Sequence, residues 1–160
     1  MTADLEHQKE SYRALSILDE YNRSAVTERE ERKRLLRKLL GHFGDDVEIR
    51  PPFFCEYGAH LSIGARTFVN FGLVALDVAD IKVGDDVQIG PNVQLLTVTN
   101  PREPAKPITL GNKVWLGGGV IVCGGVTIGD NTVVNAGSVV VDSLPANVVA
   151  AGNPARVVKS

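Results

Sequence analysis

Few side chains in this 160-residue sequence could carry acid–base or nucleophilic chemistry, and they are scattered. The histidines His7, His42 and His60 fall in three unrelated segments, and none has a partner at a spacing that suggests catalysis. Zinc needs three protein ligands and an open position, so no metal is expected. Cys55 and Cys123 form no CxxC pair and read as reduced, structural thiols. The string Thr97-Val98-Thr99-Asn100-Pro101 holds an amide that can orient a ligand by hydrogen bonds but cannot accept a proton near neutral pH. Glu103, three places on, could serve as a base if burial raised its pKa. By type alone, Asn70 is a corner residue tolerating a left-handed backbone, Asp77 a turn residue and Glu56 a surface acid. Trp115, the sole tryptophan, follows the small inward position Val114, so it faces outward at a corner and requires cover from a ligand or another subunit. Gly117, Gly118 and Gly119 would let an extended ligand chain lie against backbone amides, although tight corners alone also need glycine. Arg156 and Lys159, beyond Pro154, are either phosphate-holding cations or a solvated tail.

The elements that position these residues follow from a six-residue ladder: Leu110, Leu116, Val122, Ile128, Val134 and Val140. Most rungs are followed at once by a small residue (Gly111, Gly117, Cys123, Gly129, Asn135). Six fits neither a helical period of 3.6 nor a continuous alternation of two, so each hexad is a short strand and a corner. Three edges make a triangular coil of eighteen residues, with Leu110 over Ile128, Leu116 over Val134 and Val122 over Val140. The ladder recurs at Ile63 and Val69 and at Val83, Ile89 and Leu95, with register breaks between Val69 and Val83 and between Leu95 and Leu110. An ice-binding solenoid would show threonine ranks on one flat face, and the outward positions here are mixed and charged.

Residues 1–45 are a different material, a helical segment ahead of a β-solenoid over 46–160. Thr27 with Glu30 predicts a capping box, and Leu35, Leu36, Leu39 and Leu40 lay an apolar stripe along a helix that Gly41 terminates. Glu28 with Arg32 and Glu30 with Arg34 are spaced as i, i+4 pairs. A second helix is expected over about residues 5–20, with Leu15 and Leu18 adjacent on one face. Such a hairpin would cap an open end of the solenoid. The net charge of −2 argues against nucleic acid as the principal partner. No charged start precedes an apolar run and no stretch nears eighteen apolar residues, so a cytoplasmic protein that does not span a membrane is expected.

The non-repeating strings carry more. FFCEYGAHLSIG (53–64), VNFGLVALDVADIKVGD (69–85), IGPNVQLLTVTNP (89–101), KPITLGNKVWLGGGVIV (106–122), GVTIGDNTVVNAGSVV (125–140) and NVVAAGNPARVV (147–158) together resemble the maltose and galactoside O-acetyltransferases of the hexapeptide-repeat acyltransferases. The resemblance covers about residues 20–160. It implies a left-handed parallel β-helix and a homotrimer with active sites in clefts between neighbouring subunits. Acetyl-CoA would be the donor, and a sugar hydroxyl would attack the thioester directly. By resemblance Asn70 belongs to the acetyl-transfer site, Glu56 and Asp77 lie near the acceptor together with Trp115, and Gly118, Ala136, Arg156 and Lys159 contact CoA. The family has a histidine base in a T-x-T-H-P string, and here Asn100 takes that position. The following loop, NPREPAKPITLGNKVW, is about nine residues shorter than the family's. Where the family often shows T-K-D, this chain has Val141, Asp142 and Ser143, and Asp142 would repel phosphate. Loss of general-base help costs on the order of 10²–10⁴ in rate. The expectation is an O-acetyltransferase of impaired competence, the alternative an inactive trimeric scaffold or ligand-binding protein.

Overall fold

The computed structural model describes residues 2–160. Helices α1 (Thr2–Arg23) and α2 (Arg29–Leu39) precede a triangular left-handed β-helix of short strands. Its first face stacks His42–Phe43, Leu61–Ile63, Ile81–Val83, Ile108–Leu110 and Thr127–Ile128. The second stacks strands from Glu48–Ile49 up to Val149–Gly152, closed by an antiparallel partner, Ala155–Lys159. The third runs from Phe53–Cys55 through Leu73–Leu76, Gln94–Leu96 and Ile121–Cys123 to Val139–Val140. Coil-to-coil pairing is parallel and in the register of the ladder: Leu110 opposite Ile128, Leu116 opposite Val134, Val122 opposite Val140. The inward aliphatics are buried along the whole prism, and no buried side-chain nitrogen or oxygen among the described residues lacks a partner.

Strand pairing begins at His42, so a complete coil lies below the ladder expected from Ile63: Phe43 pairs with Ile63, Ile49 with Val69 and Cys55 with Ala75. The 45/46 division falls inside that coil. Both register breaks are insertions at one corner, between the third face and the first. Ala75 continues the ladder from Val69, and the extra residues follow it as Asp77–Asp80; Thr97–Pro107 is the longer insertion one coil higher. Because a corner lies outside the stack, lengthening it leaves the rungs aligned, at a closure cost that grows slowly with length.

The helices cap the first coil through a different set of contacts from the one expected. α1 buries Ala14, Leu18 and Tyr21, an i, i+4, i+7 stripe, whereas Leu15 is exposed. The Tyr21 hydroxyl donates to Ile49 O at 2.7 Å, and Asn22 exchanges two hydrogen bonds with the Phe53 backbone. The Thr27–Glu30 capping box does not form: Glu28 occupies the N-cap without a side-chain cap bond, and its carboxylate accepts from Ala25 N instead. The expected i, i+4 pairs are replaced by Glu30–Lys33 and Glu31–Arg34, while Arg32 turns to Ser24. α2 does bury Leu35, Leu36 and Leu39. It ends at Leu40 in an extended conformation, and Gly41 serves close packing, since a Cβ there would collide with Ala59 O.

Candidate active site

The candidate residues divide between two edges of the prism. At the corner between the second and third faces, Asn70 lies two coils below Gly118, with Gly90 in the coil between, and Ala136 lies one coil above Gly118, with Gly117 against the Ala136 backbone. At the corner between the third and first faces lie Glu56, Asp77 and Asn100. Asn70 and Asp77 flank the four-residue strand Leu73–Leu76, which at about 3.3 Å per residue holds them roughly 13 Å or more apart. Within one chain the two sets do not meet.

On the first edge, Asn70 is half-buried and lacks the left-handed backbone its type suggested; Gly72, with φ +90, takes that role. The Phe71 N–H donates to Asn70 Oδ1 at 2.9 Å, which fixes the amide's orientation. Among the described residues its Nδ2 makes no hydrogen bond, so it is free to donate to an oxyanion. In the glycine run, Gly117 is required by the Ala136 backbone and Gly119 by its φ of +72. Gly118 is neither: a Cβ there would meet Pro91 only at 3.4 Å, so its bare face is not demanded by the fold. Trp115 lies on the open second face beside Gln88 and Val133, two residues before the corner, and is 42% exposed. It sits within a strand where a corner was expected. Arg156 and Lys159 lie on the final antiparallel strand, and Arg156 Nη1 is 3.5 Å from Asp142 Oδ2.

On the second edge the structure corrects the role of Asp77. Its side chain is fully buried, and its carboxylate accepts the backbone N–H of Glu56 at 3.1 Å, Tyr57 at 2.8 Å and His60 at 3.1 Å. Every contact it makes is inward, so it shapes the Glu56–His60 corner and does not face an acceptor. Glu56 is half-buried and accepts from Ser11 Oγ of α1 at 3.4 Å. Sequence reasoning also passed over Thr97, which is buried, donates to Leu76 O and accepts from Ala79 N, tying the two upper insertions together. Asn100 is exposed, and its Oδ1 accepts from Arg102 N at 2.8 Å, a turn within its own loop. Glu103 is exposed as well, without the burial that would make it a base.

Neither thiol sits where its pKa would be lowered. Burial first, then the Asp77 charge, against the opposing pull of Arg13, pushes the Cys55 thiol well above its ordinary range, and burial raises Cys123. The same corner raises Tyr57, through burial and then the charges of Glu56 and Asp77. Among the described residues no group of three or more His, Cys, Asp or Glu is placed to hold a metal ion.

The first edge is lined by backbone at Gly117 and Gly118 and carries the amide donor of Asn70. Known proteins of similar sequence identify the family. The bacterial transferase hexapeptide (six repeats) family matches residues 107–142, and the maltose acetyltransferase hexapeptide capping motif matches residues 2–44. Galactoside O-acetyltransferase of Escherichia coli is 39% identical over 92% of this chain and 77% of its own length. The chain belongs to the maltose and galactoside O-acetyltransferase family of hexapeptide-repeat acetyltransferases. A hexapeptide-repeat acetyltransferase from Vibrio cholerae, solved with acetyl coenzyme A, superposes with a TM-score of 0.90 at 38% identity, covering 96% of this chain and 87% of that one. A galactoside acetyltransferase in complex with coenzyme A superposes with a TM-score of 0.93 at 36% identity, covering 96% and 82%. The capping-motif match gives α1 and α2 a family counterpart, and the hexapeptide match falls on the upper coils that carry Trp115, Gly118 and Ala136.

Proposed function

We propose that this acetyltransferase moves an acetyl group from acetyl-CoA to a sugar hydroxyl by direct attack, in clefts between the subunits of a homotrimer. The observation that carries the proposal is the division of the candidate residues between two edges. Asn70, Gly118 and Ala136 on one edge can join Glu56 on the other only if the edges belong to different chains. Acetyl-CoA suits the first edge: the bare face of Gly118 admits a pantetheine arm, Arg156 and Lys159 reach for phosphates, and Asn70 Nδ2 donates to the thioester oxygen as negative charge develops. Direct transfer fits the two thiols, both held in their protonated form. Acceptor recognition falls to Glu56 on the second edge.

A non-catalytic trimeric scaffold is the second reading, and the engagement of Asn100 in its own loop favours it, since that amide offers neither a base nor a free acceptor. Calorimetry with acetyl-CoA and thiol release with maltose, methyl β-galactoside and glucosamine separate the two, using the native chain and Asn100→His. The enzymatic reading expects donor binding and turnover by the native chain. A native chain without turnover that gains it in Asn100→His establishes the scaffold, and absence of acetyl-CoA binding refutes the enzyme.

A further inference from the structure

Asn100 leaves the acetyl-transfer reading without a proton acceptor, and the second edge holds one imidazole that the reading has not used. His60 Nδ1 lies 2.9 Å from the carbonyl oxygen of Asp77. A carbonyl only accepts, so Nδ1 carries the hydrogen and the neutral ring presents Nε2 as a bare acceptor. The same residue holds the backbone, because Asp77 Oδ2 accepts the His60 N–H at 3.1 Å. Tyr57 packs edge-on to the ring at 5.6 Å, and the residue remains exposed. His60 is thus clamped at its main chain and at one ring nitrogen, while among the described residues the other ring nitrogen has no hydrogen-bond partner. Neither His7 nor His42 has a hydrogen bond to its ring among the described residues.

Height along the prism also favours it. His60 immediately precedes Leu61–Ile63, which opens the coil carrying Asn70, whereas Asn100 leaves the coil above, after Gln94–Leu96. When subunits are related by an axis parallel to the prism, their rungs stay level, and Asn70 of one subunit lies within a rung, about 4.8 Å, of the height of His60 of the next. From these observations we infer that His60 is the general base of this protein, set on the acceptor side of the intersubunit cleft and held by Asp77 as its positioning residue.

The inference rests on the acetyl-transfer reading. In the step it assigns, the acceptor O–H proton passes to His60 Nε2 as the oxygen bonds to the thioester carbonyl carbon. Collapse of the tetrahedral intermediate breaks the C–S bond, and the imidazolium proton goes to the departing CoA thiolate. The charged and titratable groups of this corner are Glu56, Tyr57 and Asp77, with His7 of α1 beyond Tyr57 at 6.0 Å and Arg13 of α1 donating to Tyr57 O at 3.3 Å. The Asp77 carboxylate, 3.1 Å from the His60 main-chain nitrogen, brings negative charge to the corner in which the imidazolium forms.

The test is acetyl-CoA binding by calorimetry together with steady-state thiol release, with maltose, methyl β-galactoside and glucosamine as acceptors, for the native trimer, His60→Gln and His60→Ala. The variants are expected to bind acetyl-CoA as the native chain does and to lose about 10²–10⁴ in kcat with KM for the acceptor little changed. Added imidazole should restore part of the turnover of His60→Ala. The acid-side fall in kcat of the native chain should be missing from the residual activity of His60→Gln. Native turnover retained in His60→Gln, or no rescue by imidazole and an unaltered acid limb, overturns the inference while the acetyl-transfer reading stands. Acetyl-CoA binding without turnover by the native chain also overturns it. Failure to bind acetyl-CoA at all removes the reading on which it rests.

Discussion

Replacing Asp77 by asparagine changes one atom of a buried carboxylate, and its consequence follows from three hydrogen bonds. Oδ1 serves Glu56 N and Tyr57 N, and Oδ2 serves His60 N. In Asp77→Asn the amide oxygen can keep the first two, but its NH₂ then faces the His60 N–H, donor against donor. Losing one bond to a charged acceptor and leaving that donor unmatched costs about 2 kcal/mol. Asp77→Ala removes all three acceptors. Glu56 and Tyr57 are half-buried and His60 exposed, so water recovers part of the loss and about 3 kcal/mol is expected. Urea unfolding at one fixed protein concentration reads both values, the concentration being held because assembly contributes to apparent stability. Thiol release should fall in Asp77→Asn, because the chain at His60 is unlatched while Glu56 and Tyr57 keep their support. An Asp77→Asn protein within about 0.5 kcal/mol of native, with unchanged turnover, would refute the role of Asp77 as the organiser of this corner.

Three further outcomes are expected. Burial, opposed by Arg32 and reinforced by Glu48, pushes Tyr21 up to about 12 from an ordinary 10.0. Its contribution is therefore complete below pH 10 and is lost as pH rises toward 12, by about 3 kcal/mol in all. Urea midpoints between pH 8 and 11 should fall for the native chain and less for Tyr21→Phe, which lacks the ionising group. Gly118→Ala should leave stability within about 0.5 kcal/mol of native yet weaken acetyl-CoA binding in calorimetry, because a Cβ grazes only Pro91 while covering the face offered to the donor. Asp142→Lys removes the carboxylate from beside Arg156 and adds a cation. It should tighten acetyl-CoA binding several-fold at low salt, an effect that fades toward 1 M salt, where the screening length is about 3 Å.

The ladder of Leu110, Leu116, Val122, Ile128, Val134 and Val140 was enough to determine the β-helix, because a six-residue period admits only a short strand and a corner, and stacking makes each rung specify its neighbours. The non-repeating strings carried the family in the same way. The lowest coil is hidden in the sequence because Phe43, Ile49 and Cys55 are separated from the next rungs by an inserted corner, and an insertion hides a period without disturbing the stack it interrupts. Helix α1 was legible as a helix, but its buried face was not. Leu15 and Leu18 are equally apolar, and only the position of Ile49 and Phe53 beneath the helix turns Tyr21 and Leu18 inward and Leu15 out.

The candidate site divides along the same line. The resemblance carried by the non-repeating strings brought out Asn70, Gly118, Asn100 and Asp77 as residues of consequence. Only the folded chain decided that Asp77 spends its carboxylate on three backbone amides, that Asn100 closes a turn in its own loop, and that His60 shares a corner with both. Hydrogen-bond geometry settles such roles because an acceptor's function depends on which donors reach it, and those donors come from coils that are distant in sequence and adjacent in space. A sequence fixes which groups are available; the stacking of coils decides which of them remain free to meet a substrate.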